Sequence, residues 1–311
     1  MIKVDLITGF LGAGKTTFLK KYATYLMNQG IRVGILENDY GAVNVDMLML
    51  QELRGERCEV EMVAGGCDAD CHRRRFKTKL IAMGMSGYDR VIIEPSGIFD
   101  VDEFFDSLHE EPLDRWYEIG NVITIVDAKL SDDFSEQADY FLASQIANAG
   151  CVLLSRTQQA TEEEVKRTVA HLKRAAGQLK CRRPVEDILM AKDWDTLTGE
   201  DYEKLLCCGY QMASYLKKSV STAPDYSTLY FLEIPFDEKS LRKKIESLFA
   251  DGEYGEVFRV KGFFCEDSGK WYEVNATKEE MNISPIPVGQ EVVIVIGQGL
   301  DEERIGKLMR V

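Results

Sequence analysis

Along the first half of the chain, apolar residues fall in short runs separated by longer stretches of mixed character. The runs Ile2–Thr8, Val33–Glu37, Val60–Val63, Val91–Glu94, Val122–Val126 and Val152–Ser155 read as strands. Their near-continuous apolarity is that of strands covered on both faces. Between them, Thr16–Asn28, Arg73–Met83 and Glu162–Ala176 carry helical spacing. Strand and helix in alternation predict a mainly parallel α/β sheet. In such a sheet, functional residues gather where strand C-termini meet the following loops.

The alternation stops near Trp194, where polar segments surround a helical stretch at Tyr202–Leu216. From Thr228 the order becomes strand Leu229–Ile234, helix Lys239–Phe249, strands Glu256–Phe264, Lys270–Asn275 and Glu291–Ile296, then helix Asp301–Met309. That order predicts a small α+β domain. The expected division is a domain over 1–193, a connector over 194–227 and the C-terminal domain over 228–311.

Composition narrows the classes of partner. With 52 acidic and 38 basic side chains the net charge is −14, which repels phosphate backbones and anionic membranes, so neither nucleic acid nor membrane is expected as a partner. No apolar run approaches the roughly 18 residues needed to span a bilayer. Lys3 and Asp5 interrupt the N-terminal run where a leader would be apolar. The eight cysteines, in a chain read as cytoplasmic, are expected as thiols or ligands rather than a disulfide framework.

Chemistry enters at Gly9-Phe10-Leu11-Gly12-Ala13-Gly14-Lys15-Thr16, which matches G-x-x-x-x-G-K-[ST] without a mismatch, between a predicted strand and a predicted helix. Gly9 opens the loop. Small residues at Gly12, Ala13 and Gly14 let backbone N–H groups close around a β-phosphate at a helix N-terminus. Lys15 would neutralise β- and γ-oxygens, the Thr16 hydroxyl would ligate magnesium, and Thr17 would touch the α-phosphate. A second element, Val91-Ile92-Ile93-Glu94-Pro95-Ser96-Gly97, delivers Glu94 to a strand end, where a carboxylate can hold magnesium through water. The Gly97 amide can then meet the γ-phosphate and sense its presence.

The segments GFLGAGKTT (9–17), ENDYGAVNVD (37–46), GGC (65–67), YDRVIIEPSG (88–97) and VITIVDA (122–128) occur in order. With FRVKGFF (258–264) and VVIVIG (292–297) in the C-terminal unit, the whole chain resembles the CobW family, metal-linked P-loop GTPases of the SIMIBI class related to nickel-insertion GTPases. The resemblance implies a nucleoside triphosphate hydrolase with GTP favoured over ATP, magnesium as cofactor, and zinc or cobalt as a further ion. It implies a metallochaperone or cofactor-assembly role toward a metalloprotein client, in the cytoplasm, with a homodimer as one assembly. Residues 37–46 would be the first switch, with Asp39 standing where the family has a glutamate near magnesium, and Glu94–Gly97 the second.

Two motifs depart from the family pattern. Cys67-Asp68-Ala69-Asp70-Cys71-His72 stands where G-C-x-C-C is expected, and Ala42 replaces a switch glutamate. On a helix Cys67 and Cys71 lie four apart on one face, a spacing that can grip an ion with Asp70 or His72 as third ligand. The same cysteines also suit packing. Arg73, Arg74 and Arg75 read either as a finger to the triphosphate or as a solvated or partner-facing helix surface. Where guanine is usually read by N-K-x-D, this chain has Ser155-Arg156-Thr157-Gln158. Arg156 can flank the base, and Gln158 offers one acceptor oxygen where Asp offers two.

Two alternatives to metal delivery stay open at this point. One is a metal-independent switch acting on a protein client, and the other a P-loop small-molecule kinase. Under the leading reading, triphosphate draws both switches inward, the segment between them moves, and the C-terminal domain recognises the client.

Overall fold

In a computed structural model of the protein, the described residues are 1–39, 49–64, 69–97, 99, 101–132, 134–181, 183–211, 226–250, 252–266, 268–278 and 280–310. The remainder of the expected first switch, residues 40–46 with Ala42, and the segment 65–68 with Cys67 lie outside them. Contacts divide the chain into two units, Met1–Ser219 and Val220–Val311.

The first unit holds strands β1 (Ile2–Gly9), β2 (Val33–Asp39), β3 (Cys58–Ala64), β4 (Arg90–Pro95), β5 (Tyr117–Asp127), β6 (Cys151–Ser155) and β7 (Leu189–Met190). They form one sheet in the order β3-β2-β4-β1-β5-β6-β7. Every pair is parallel, as the unbroken apolar runs predict. All residues of β4 and β6 are buried. The two-residue β7 is too short for periodicity to reveal.

Helices α1 (Lys15–Asn28), α2 (Ala69–Gly84), α3 (Val101–Leu108), α4 (Glu136–Asn148), α5 (Glu162–Gln178) and α6 (Gly199–Leu206) accompany this sheet. On α1, Phe18, Leu19, Tyr22, Ala23 and Leu26 form one apolar stripe and join Ile7, Ile35, Ile92 and Ile123 in the core. α5 starts at a capping box, Thr161 with Glu164, and carries three glutamates in its first turn, which suits the positive end of a helix.

The charge that interrupts β1 is part of the fold. Asp5 is fully buried and accepts from Tyr22 Oη at 2.8 Å, Asn121 N at 2.9 Å and Asn121 Nδ2 at 3.0 Å. Arg90 completes the set as an ion pair. A buried carboxylate is tolerable only with such a full complement of donors. These contacts tie β1 to α1, β4 and β5.

The segment placed by its polarity between the domains packs in part on this same unit. Leu205 is a core residue, and Trp194, Leu197, Tyr202 and Leu206 lie against the core. Val122 N donates to Gly209 O at 2.9 Å, and Gly209 N to Asn121 Oδ1 at 2.9 Å. The helix here is α6, begun by a capping box of Thr198 with Asp201 and closed at Cys207; of the expected stretch Tyr202–Leu216 only the part to Leu206 is helical, and 212–216 lie outside the described residues.

The second unit has strands β8 (Tyr226–Leu232), β9 (Glu256–Cys265), β10 (Trp271–Ala276), β11 (Met281–Ile286) and β12 (Val292–Gln298), with helices α7 (Glu238–Ala250) and α8 (Glu302–Arg310). Their order is β11-β10-β9-β12-β8, antiparallel throughout. Leu241, Ile245 and Leu248 of α7, with Ile305 and Met309 of α8, meet Val260, Phe264, Val274, Val293 and Val295. One strand exceeds the expected set. β11 contains Pro285, opposite Tyr272, and lies at the sheet edge, where a missing N–H is harmless.

Candidate functional site

The loop from Gly9 to Thr16 joins β1 to α1. Gly14 is the N-cap of α1 at φ +99°, a left-handed conformation that side-chain-bearing residues rarely adopt. A Cβ there would also come within 3.3 Å of the Trp194 ring. Gly14 gives no side-chain cap, so the first N–H groups of α1 face the loop, the arrangement that favours anions. Lys15 and Thr16 are 6% and 5% exposed, Ala13 is buried and Thr17 is exposed. The Thr16 hydroxyl donates to Glu94 Oε1 at 2.8 Å.

Glu94 is held by register. β2 and β4 pair Glu37 with Glu94 and Asn38 with Pro95, and both glutamates are buried, at 2% and 4% exposure. Asp39 closes β2. The Asn38 carbonyl accepts from Ser96 N at 2.9 Å, and its Oδ1 lies 2.7 Å from His72 Nε2. One residue thus touches the end of β2, the loop after β4 and helix α2. Gly97 lies against the phosphate loop, where a Cβ would stand 2.6 Å from Leu11 N. Its carbonyl accepts from Gln145 Nε2 of α4 at 3.1 Å.

The loop after β6 reaches the same place. Ser155 is buried, its hydroxyl donating to Val126 O at 3.4 Å. Arg156 takes φ +53°, pairs with Asp127, and donates through Nη1 and Nη2 to Gly12 O at 3.3 and 3.2 Å. Its guanidinium is therefore held on the phosphate loop, and its stem is the part that can line a base. Gln158 is exposed in the turn Thr157–Gln159.

Trp194 escaped sequence reasoning at this site, and Glu37 entered it only as the first residue of the expected first switch, with no role of its own. Trp194 donates from Nε1 to Leu154 O at 2.9 Å and packs on Phe18, with ring centroids 5.4 Å apart. It lies 40 positions from Leu154, and only pairing of β7 beside β6 brings it near. Glu37 could have been flagged as a carboxylate inside a strand otherwise read as buried.

The cysteine segment is less complete. Cys71 is a half-buried thiol on α2. His72, expected as a third metal ligand, is 2% exposed and turned onto Asn38. Position 72 falls on the buried stripe of α2 with Phe76, Leu80 and Met83, so its Nε2 is committed inside the fold. Among the described residues, no three His, Cys, Asp or Glu side chains converge where a metal could sit. Arg73 pairs with Glu110 at 2.7 Å, which ties that arginine to a neighbouring turn rather than to the phosphate loop.

Comparison with known families settles the class. The model for the CobW/HypB/UreG nucleotide-binding domain matches residues 3–185, and that for the cobalamin synthesis protein cobW C-terminal domain matches 227–311. The chain belongs to the CobW/HypB/UreG family. This CobW-family protein is a P-loop GTPase by that membership. It is 27% identical over 292 residues to a zinc chaperone, YjiA, of Escherichia coli, covering 86% of this chain and 82% of that one. It is also 25% identical over 321 residues to a zinc-regulated GTPase metalloprotein activator of Schizosaccharomyces pombe, covering 92% and 77%. Among the described residues no helix of the CobW-family chain is long and apolar enough to cross a membrane.

Proposed function

We propose that this GTPase is a nucleotide-gated metal-delivery protein, in which GTP state governs the segment Cys67–Cys71 and hence release of a zinc ion to a metalloprotein client. The observation that carries the reading is Asn38. Its backbone carbonyl meets Ser96 N beside the second switch, while its side chain meets His72 on the helix that bears Cys71. A shift of either switch is therefore felt one residue from that thiol. Relatives named for zinc support zinc as the cargo, and thiolate ligands suit it.

At the nucleotide, backbone N–H groups of the phosphate loop and Lys15 would hold the β- and γ-phosphates. Thr16 Oγ1 and Glu94 Oε1 are buried oxygens 2.8 Å apart, the donor type a hard divalent cation takes, and they would hold magnesium. Bound there, magnesium neutralises phosphate charge. Gly97 and the residues near Asp39 would close on the γ-phosphate and orient the attacking water. Ser155, Arg156 and Gln158 would line the base, with Gln158 weakening the preference for guanine.

A second reading is a metal-independent switch acting on a client. The sequence Cys67-Asp68-Ala69-Asp70-Cys71-His72, with two cysteines where the family has three, favours it. Zinc content after anaerobic purification, measured with GDP and with a non-hydrolysable GTP analogue, separates the two. Metal delivery requires tight zinc in one nucleotide state, lost in Cys67→Ser and Cys71→Ser. Absence of tight zinc in both states of the unaltered chain would leave the second reading.

A further inference from the structure

Helix α4 buries a glutamine whose side chain bonds to the loop after β4. From Tyr140 to Asn148 every residue of α4 is buried, and Gln145 has no exposed surface at all. Its backbone is fixed to the sheet, for Thr124 Oγ1 of β5 donates to Gln145 O at 2.9 Å. Thr124 stands opposite Thr8 in the β1–β5 register, one residue before the phosphate loop opens at Gly9. The side-chain amide donates from Nε2 to Gly97 O at 3.1 Å. Gln145 thus bridges the strand level at which the phosphate loop begins and the loop after β4.

The other half of that amide is idle. Gln145 Oε1 is buried and, among the described residues, meets no donor. A buried acceptor left without a donor destabilises a fold, and native proteins hold few of them. Methionine would fill a similar volume without that cost. Packing therefore does not account for a glutamine here; its bond to Gly97 does. A backbone carbonyl can only accept, which fixes the nitrogen end of the amide toward the loop. Neighbouring bonds shape this loop but do not grip Gly97: Ser96 N donates to Asn38 O at 2.9 Å and Phe99 N to Ser96 O at 3.1 Å. Among the described side chains, the hydrogen bond to Gly97 comes from Gln145.

We infer that Gln145 is a positioning residue for GTP hydrolysis: by holding the Gly97 carbonyl it fixes the loop after β4 on the phosphate loop, with the Gly97 N–H set for a γ-phosphate. The inference rests on the reading that Gly97 closes on the γ-phosphate, and it needs neither zinc nor a client. Glycine has the widest backbone freedom of any residue. A hydrogen bond to its carbonyl from a buried helix removes that freedom before the reaction starts. Such preorganisation of a donor, more than the strength of the tie itself, is what a hydrolysis rate responds to. Gln145 acts through Gly97 and has no contact with the nucleotide of its own.

The test is single-turnover hydrolysis at saturating GTP by the full-length protein, beside GDP titration and thermal unfolding. Gln145→Met keeps the volume and loses the donor; turnover should fall about tenfold, with GDP affinity held within about twofold. Gln145→Glu adds a pH readout that lost packing would not give. Protonated, the introduced carboxyl donates to Gly97 O; ionised, it sets a negative oxygen against that carbonyl. Burial raises the pKa of such a carboxyl, so its rate relative to the unaltered protein should recover at least about threefold from about pH 8 to about pH 6, while the Gln145→Met ratio stays flat. Should the buried charge unfold Gln145→Glu, the split between turnover and GDP affinity in Gln145→Met decides alone. Gln137→Met makes the same change in the first turn of α4, at a glutamine whose Oε1 is likewise buried without a donor among the described residues, and should hold turnover within about twofold. A Gln145→Met rate within about twofold of the unaltered protein, an equal loss in Gln137→Met, or a folded Gln145→Glu whose ratio ignores pH would overturn the inference. Gly97→Ala separates this role from the reading beneath it. Slowed Gly97→Ala beside unslowed Gln145→Met refutes the role of Gln145 alone, and unslowed turnover in both refutes the part given to Gly97.

Discussion

The hydroxyl of Thr16 donates to Oε1 of Glu94 across 2.8 Å, joining the first turn of α1 to the end of β4 over 78 positions of sequence. The bond closes the phosphate loop onto the strand that leads into Ser96 and Gly97. If this pair holds magnesium, Glu94→Gln keeps an oxygen for Thr16 but loses the charge. Hydrolysis should then fall by about a hundredfold, with the magnesium requirement raised and GDP affinity nearly retained. A magnesium titration of the hydrolysis rate reads this directly. Unaltered magnesium dependence would remove Glu94 from the assignment.

Gly97 offers a test through backbone space. A Cβ at this position would stand 2.6 Å from Leu11 N and 2.9 Å from Leu11 Cα, and backbone cannot turn aside as a side-chain end can. Gly97→Ala should displace the loop after β4 from the phosphate loop. Turnover is expected to drop at least about tenfold, a misplacement effect, while GDP binding persists. Single-turnover kinetics beside GDP titration separates the two.

Gln158→Asp should raise the preference for GTP over ATP. An aspartate accepts two hydrogen bonds from guanine N1–H and N2–H where the glutamine carbonyl accepts one, a difference of about 1–3 kcal/mol. Competition titrations with both nucleotides give the ratio. An unaltered ratio would mean that this exposed turn does not read the base.

Asp5 and Tyr22 predict stability rather than activity. Tyr22→Phe leaves one acceptor of the buried carboxylate less satisfied and should cost about 1–3 kcal/mol. Asp5→Ala strands Arg90, a buried cation, and should cost about 3–5 kcal/mol. Urea unfolding of the full chain, followed by a signal from the first unit, tests both. Equal stability of all three proteins would contradict the assigned network.

The buried thiols give a pH dependence. Burial pushes Cys58 up to about 11 and Cys151 up to about 12. A pKa raised in the folded state stabilises fully below the unfolded value, near 8.5 for a thiol, and that contribution is lost as pH rises toward the folded value. Stability should therefore decline above about pH 9. At pH 8 both thiols stay protonated, and iodoacetamide should modify exposed Cys207 well before either. Peptide mapping by mass spectrometry checks the order.

Much of the first unit was legible in sequence because its strands are buried on both faces and read as unbroken apolar runs. The phosphate loop was legible because its chemistry is local: eight consecutive residues carry the turn, the ammonium and the hydroxyl. β11 was hidden by Pro285, a residue that argues against a strand until the strand is known to be an edge. α6 was placed too late because its start depends on the Thr198–Asp201 capping box, not on apolar spacing.

Residue type and short spacing alone determined the class of ligand, the strand-to-helix setting of the loop and the presence of a second unit. Tertiary structure decided what each ambiguous side chain faces. It turned His72 inward to Asn38, split Arg73 from Arg74 and Arg75, pinned Arg156 to Gly12 and brought Trp194 against Gly14. The physical reason is that a sequence motif specifies backbone geometry over a few residues. Burial and pairing of a polar group, by contrast, depend on strand order and helix rotation, which join residues tens of positions apart.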